Sequence, residues 1–194
     1  MIKIACALLL ILLSGSAFAQ RLDRFAGESL GRKTGYTHIR NYYGFVEGNS
    51  KADTLPDGRE AYYLYFHLDD TLPDLGLRIV NPVPPLCMPD KGDVVSDNYY
   101  EHEQEKSGRF NTWLALEREV GSKWLLLEMN DDGKEAPDAT NSVIRINDRK
   151  NNRLIPGNYR IVISTSQKEK ISGGFLVQAG SFGNIKGVRF YTGM

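Results

Sequence analysis

Alternation of large apolar and more polar side chains is clearest in the segment Glu60–Leu68, which reads EAYYLYFHL. Successive residues of a β-strand point to opposite faces, so one face of this segment carries Tyr62, Leu64, Phe66 and Leu68. A second segment, 158–165, reads NYRIVIST and alternates in the same way. Both segments predict β-strands with one face buried.

Short runs of this kind recur along the chain, separated by Gly, Pro, Asp and Asn, a spacing typical of β-sandwiches and barrels. Ten candidate strands cover residues 38–46, 60–68, 75–80, 93–100, 110–119, 123–129, 142–147, 158–165, 174–179 and 188–192. Helical signals are limited to residues 100–106 and 125–128. The sequence therefore predicts an all-β, two-sheet fold with few short helices.

The composition agrees with a β-rich globular protein. The chain has 194 residues, of which 41% are hydrophobic, and it contains 19 Gly, ten Tyr and eight Phe. Its 24 Lys and Arg residues balance 24 Asp and Glu residues. Because the net charge is close to neutral, electrostatics gives no basis for binding nucleic acid, and we expect no nucleic-acid partner.

The first 19 residues have the pattern of a secretory signal peptide. Lys3 precedes an apolar run at 4–13, and residues 17–19 form an A-x-A cleavage site. The apolar run is about half the length of roughly 20 residues that a membrane-spanning helix needs. We therefore expect residues 1–19 to be removed and residues 20–194 to be exported as a single domain without a transmembrane segment.

Cysteine usage predicts a mature protein without a disulfide or a lipid anchor. Cys6 lies at the front of the apolar run, whereas the lipidated cysteine of a bacterial lipoprotein directly follows such a run. Cys87 is the only other cysteine, and its setting in the segment 84–89 (PPLCMP) is typical of a packed loop residue. We therefore expect an unanchored protein in the periplasm, in the outer envelope or secreted.

Catalytic motifs are not found, and the sequence predicts that the protein is not an enzyme. It contains no G-x-S-x-G elbow, no P-loop and no G-x-G-x-x-G after a strand. His102 begins the segment HEQEK, which resembles a zinc helix but has Lys where the second His is needed. His38 and His67 lie within predicted strands, where hydrogen-bonded histidines are common.

One polar segment suggests metal chemistry. Residues 130–135 read NDDGKE, with Asp131 and Asp132 directly before a glycine. Calcium takes six to eight oxygen ligands, and a glycine allows a loop to bend its oxygens inward. Asp-Asp-Gly is also ordinary turn chemistry, so the residues themselves leave both interpretations open.

Seven segments together carry a resemblance to a known family. They are 41–46 (NYYGFV), 61–65 (AYYLY), 75–78 (LGLR), 92–97 (GDVVSD), 110–113 (FNTW), 141–146 (NS and RI at its ends) and 159–161 (YRI). In this order they resemble the major surface lipoprotein family of Leptospira and its homologues in marine bacteria. The resemblance implies a jelly-roll β-sandwich, which agrees with the predicted strands.

The resemblance also implies a calcium site. Its ligands would be Asn111 and Thr112 on a strand, Asp131 and Asp132 in the acidic loop, and the backbone carbonyl of Thr140. Adjacent strand residues point to opposite faces, so one of Asn111 and Thr112 is expected to contribute its carbonyl. Asn111 stands where the family has Asp, and the family's long acidic run is reduced here to two aspartates, so both differences weaken the expected site.

Family resemblance further implies binding of extracellular-matrix components such as laminin, collagen and fibronectin. We therefore expect an exported, calcium-binding surface or periplasmic module that binds extracellular-matrix-like proteins or polysaccharides. The alternative is a calcium-stabilised structural protein of the envelope with no specific host partner. Tyrosines at 42–43, 62–65 and 99–100 are candidates for contact area or for strand packing. The chain ends soon after residues 188–191, without the family's helical C-terminal extension, so matrix binding that depends on this extension is expected to be weak.

Overall fold

Two β-sheets dominate the computed structural model, which describes residues 36, 38–48, 52–83, 87–102, 108–130, 141–148 and 153–193. The strands are β1 (His38–Val46), β2 (Asp53–Thr54), β3 (Glu60–Leu68), β4 (Asp74–Val80), β5 (Val94–Val95), β6 (Thr112–Val120), β7 (Lys123–Asn130), β8 (Asn141–Asn147), β9 (Gly157–Thr165) and β10 (Gly173–Ser181). Sheet 1 has the order β5-β1-β10-β4-β8, and sheet 2 has the order β2-β3-β9-β6-β7.

The longer strands have the connectivity of a jelly roll. Without the two-residue strands β2 and β5, the chain passes from one sheet to the other at each connection except the β6–β7 hairpin. Neighbouring long strands within each sheet are antiparallel. The predicted all-β jelly-roll sandwich is therefore confirmed, since this topology places eight strands in two four-stranded layers.

The core lies between the sheets and follows the predicted alternation. In β3, Leu64, Phe66 and Leu68 are buried in the same cluster as Ile161 and Ile163 of β9. Strands β4 and β10 of sheet 1 supply further members, among them Leu77, Ile79, Phe175 and Val177. Burying each such side chain contributes about 1.5 to 3 kcal/mol, so these two layers account for most of the driving force for folding.

The outer faces of the two sheets differ. Every residue of β4 and β10 is buried. On the outside of sheet 1, Tyr43, Phe45, Tyr99 and Leu176 form a second cluster, and the Tyr36 ring lies against Gly76. Strand β7, at the edge of sheet 2, has no buried residue. Sheet 1 is therefore covered by its own chain, whereas the outer face of sheet 2 buries the small cluster Ala61, Ala115 and Val162 and is accessible along β7.

Three segments differ from the prediction. Residues 93–100 form the two-residue strand β5 followed by a 3-10 helix at Asp97–Tyr99, because Tyr99 is buried as part of the cover of sheet 1. Residues 188–192 make only an isolated bridge between Tyr191 and Tyr65. Strand β2 was missed, because two residues are too few to show alternation.

Candidate functional site

Thr112, one of the predicted calcium ligands, is the first residue of β6 and is fully buried. Its Oγ1 donates a hydrogen bond to Ser142 Oγ at 3.1 Å, and Ser142 Oγ donates to the Thr112 carbonyl oxygen at 2.8 Å. These bonds join β6 of sheet 2 to β8 of sheet 1. The Thr112 hydroxyl is therefore engaged within the protein.

Asn111, the residue before β6, carries a buried amide oxygen that has no hydrogen-bond partner among the described residues. The residue is only 8% exposed. Its N–H donates to Glu169 Oε1 at 3.1 Å, and its carbonyl oxygen accepts from the Ser166 N–H at 3.2 Å. A buried acceptor without a donor is unfavourable, whereas a bound cation would satisfy it.

The other predicted ligands, Asp131, Asp132 and Thr140, lie outside the described residues. Asn130, the last residue of β7, is paired with Leu114, close to the start of β6. The ligand roles of all three residues stay predictions.

Glu169 contacts the predicted ligand Asn111, and sequence reasoning missed this contact. It lies between two lysines, which is an ordinary pattern for an exposed turn, and it is 58 positions from Asn111. Across the described ranges, no group of three or more His, Cys, Asp and Glu side chains is placed to hold a metal ion. The described oxygen groups around the start of β6 are the Asn111 amide oxygen, the Thr112 carbonyl oxygen and the Glu169 carboxylate, which accepts from the Asn111 backbone N–H.

A second candidate region lies on the outer face of sheet 2. The Arg160 guanidinium lies 4.4 Å from the centre of the Tyr63 ring and 4.5 Å from that of Trp124, and its Nε donates to Glu117 Oε2. We call this region the aromatic face, and it consists of Tyr63, Tyr65, Trp124, Arg160 and Tyr191. Because Arg160 lies over both rings, it occupies one side of each.

The remaining predicted tyrosines are mostly core residues. The hydroxyls of Tyr42 and Tyr62 are hydrogen-bonded to each other at 3.0 Å, and burial raises the pKa of both phenols. Tyr43 and Tyr99 are buried on the outside of sheet 1, whereas Tyr100 is 59% exposed. Tyr63 and Tyr65 thus provide the accessible tyrosine area on sheet 2.

Cys87, His67 and His102 have surroundings that the structure describes. Burial raises the pKa of the Cys87 thiol, which opposes formation of the nucleophilic thiolate. His67 Nδ1 is 2.7 Å from Asn158 Oδ1, and the His102 ring stacks on Phe45 with centroids 4.4 Å apart. These contacts give His67 and His102 local structural partners.

The fold is that of an all-β jelly-roll protein. The buried Asn111 amide oxygen marks a candidate cation site where β6 begins. Residues 31–190 match the family described as Lipl32, surface lipoprotein of the Spirochaetales order. Because the match covers most of the chain, the chain belongs to this family of surface lipoproteins, and the resemblance seen in the sequence is confirmed. No curated protein matches the chain significantly.

The expectation of a protein without a lipid anchor is wrong. The family consists of surface lipoproteins, and lipoproteins are held at the membrane by lipid. The expectation depended on the position of Cys6 relative to the apolar run, a local argument from a segment outside the described residues. Among the described residues, no helix is long and apolar enough to cross a membrane.

Proposed function

We propose that this surface lipoprotein is a calcium-binding interaction module. The observation that supports calcium most directly is the buried Asn111 amide oxygen, which has no donor among the described residues. The Glu169 carboxylate is hydrogen-bonded to the same residue. Amide, carboxylate and backbone carbonyl oxygens are the ligands that calcium prefers, so this donor chemistry fits the ion.

The proposed ligands are the five residues expected from the family resemblance. Asn111 would bind through its amide oxygen, Asp131 and Asp132 through their carboxylates, and Thr140 through its backbone carbonyl. Thr112 would bind through its carbonyl oxygen, which accepts from Ser142 Oγ and keeps a second lone pair. When bound, calcium would neutralise the two adjacent aspartates and connect the acidic segment to the start of β6.

Calcium is expected to raise the melting temperature of the protein. With few carboxylate ligands, the dissociation constant should be roughly 0.1 to 1 mM, as in extracellular calcium modules. At the tighter limit, about 10 mM calcium is a hundredfold excess and stabilises the fold by about 2.7 kcal/mol. This corresponds to roughly 5 to 10 °C, measured by thermal melts in chelator and in calcium.

The double change Asp131→Asn and Asp132→Asn should remove the calcium-dependent shift, because it removes two negative charges without a change in side-chain size. The matched control is Asp69→Asn with Asp70→Asn, a second pair of adjacent aspartates that is exposed after β3. The control should keep the full shift. A wild-type melting temperature that is equal in chelator and calcium would refute the proposed site, as would a full shift in the Asp131 and Asp132 variant.

We also propose that the accessible outer face of sheet 2 binds a partner protein of the extracellular-matrix type. On this face the β6–β7 hairpin exposes Leu126 and Met129, by 47% and 56%, which are paired with Glu117 and Ala115. Arginine and aromatic side chains, as in the aromatic face, are enriched in protein interfaces. A polysaccharide would stack its sugars on aromatic rings, but Arg160 covers one side of the Tyr63 and Trp124 rings. This arrangement favours a protein partner over a polysaccharide.

Met129→Asp should weaken binding to laminin or collagen by about tenfold or more, because it places a charge within an apolar contact surface. Met129 is paired with Ala115, which packs with Ala61 and Val162 on the outer face of sheet 2, so Met129 lies on the same face. The control is Met88→Asp, since Met88 is similarly exposed but lies before β5. Surface plasmon resonance measures both. The proposal is contradicted if the two variants bind equally, or if the protein binds polysaccharides selectively. Absence of saturable binding would also contradict it and would favour the structural envelope protein.

A further inference from the structure

The connection between β9 and β10 is attached to Asn111 at two points. The Ser166 N–H donates to the Asn111 carbonyl oxygen at 3.2 Å, and the Asn111 N–H donates to Glu169 Oε1 at 3.1 Å. The two backbone groups of Asn111 are thus bonded to a single connection. This arrangement holds a carboxylate against the residue whose amide oxygen is buried without a described partner.

The backbone of Glu169 is itself held in place. Its N–H donates to the Gln167 carbonyl oxygen at 2.8 Å, and Thr165 Oγ1 donates to the same carbonyl oxygen at 2.5 Å. Thr165 is fully buried at the end of β9. The Glu169 carboxylate is therefore presented from an ordered turn rather than from a freely moving segment.

The lysines on either side of Glu169 are directed elsewhere. Lys170 Nζ donates to the Gly48 carbonyl oxygen at 3.2 Å. Lys168 Nζ lies next to Gly58, and its charge helps to lower the pKa of Asp57. Within the described ranges, no salt bridge links Glu169 to a basic side chain. A carboxylate offers about four lone-pair positions, and the Asn111 N–H uses one of them.

From these contacts we infer that Glu169 binds the same calcium ion as Asn111 and supplies the negative charge that the asparagine lacks. The inference rests on the proposed function, because it assigns an additional ligand to that site. The amide oxygen of Asn111 and the carboxylate of Glu169 together provide what a single aspartate would provide at position 111. The charge reaches the site from the β9–β10 connection instead of from β6.

Glu169→Gln tests the inference, because glutamine keeps an oxygen that can accept from the Asn111 N–H but removes the charge. Calorimetric titration of the full chain with calcium chloride should show a dissociation constant raised about tenfold or more, as expected for loss of a charged ligand. The control is Glu119→Gln, which also removes a hydrogen-bonded carboxylate but lies at the far end of β6, about 26 Å from Asn111 at the usual strand rise. It should leave the affinity unchanged.

A second variant tests the exchange of charge. Adding Asn111→Asp to Glu169→Gln returns the negative charge to position 111 and should recover most of the lost affinity. Equal affinities of the wild type and Glu169→Gln would overturn the role of Glu169 while leaving the proposed function intact. A lower melting temperature of Glu169→Gln in chelator, with unchanged calcium affinity, would likewise assign Glu169 a purely structural role. Absence of calcium binding in the wild type would instead overturn the proposed function itself.

Discussion

Replacing Asn81 with alanine is expected to lower the free energy of unfolding by roughly 3 to 5 kcal/mol. The Asn81 side chain is fully buried and makes three hydrogen bonds. Its Nδ2 donates to the carbonyl oxygens of Gly108 and Gly174, both at 2.9 Å, and its Oδ1 accepts from the Phe110 N–H at 2.8 Å. Alanine would leave these three backbone groups without their partner, and each such loss costs about 1 to 3 kcal/mol.

Urea denaturation measures this effect, and the melting temperature should fall by roughly 10 °C. The control is Asn184→Ala, since Asn184 is exposed and its Oδ1 accepts one hydrogen bond from the Lys186 N–H. This control should lose less than about 1 kcal/mol, because water replaces an exposed bond. Similar losses in the two variants would show that the buried bonds of Asn81 contribute little.

Gly173→Ala should also be strongly destabilising, by roughly 3 kcal/mol or more. Gly173 has a φ of 105°, which side chains rarely adopt. A Cβ at this position would lie 2.5 Å from the Gly108 carbonyl oxygen and 2.8 Å from its Cα. These atoms belong to the backbone, so the contact cannot be relieved by rotation of a side chain, and strain adds to the unfavourable φ.

Gly121→Ala is the matched control for Gly173→Ala. Gly121 lies in the β6–β7 turn with a φ of 62°, and no atom lies within 4 Å of its ideal Cβ position. Alanine there should cost about 1 to 2 kcal/mol from backbone conformation alone. Chemical denaturation of both variants gives the comparison. If Gly173→Ala costs no more than the control, the close approach of Gly108 and Gly173 is not a constraint on folding.

The junction of Asn81, Gly108 and Gly173 also positions the candidate cation site. Gly108 lies three residues before Asn111, and Gly173 begins the strand that follows the connection containing Glu169. By holding these backbone segments together, the junction brings the start of β6 close to the β9–β10 connection. We therefore regard it as part of the support for the Asn111–Glu169 contact.

Long strands were predicted well because their signal is local. Strand β3 has the predicted bounds, since its alternation over nine residues reflects one buried face. Strand β1 also has the predicted bounds, although both of its faces are buried towards its end. The resemblance to the family also indicated the jelly-roll topology, which the sheet order confirms. The segment around Tyr99 was predicted incorrectly as a strand, because burial by packing on sheet 1 produces apolar residues without strand pairing.

The sequence by itself determined the fold class, the family and the position of Asn111 and Thr112 at the start of a strand. Asp131, Asp132 and Thr140 stay sequence predictions, since they lie outside the described residues. Only the tertiary structure decided that sheet 1 is covered while sheet 2 is accessible, and that Glu169 contacts Asn111. The physical reason is that alternation relates neighbouring residues, so it can be recognised in the sequence. The contact between Glu169 and Asn111 joins residues 58 positions apart, and such a hydrogen bond produces no sequence pattern.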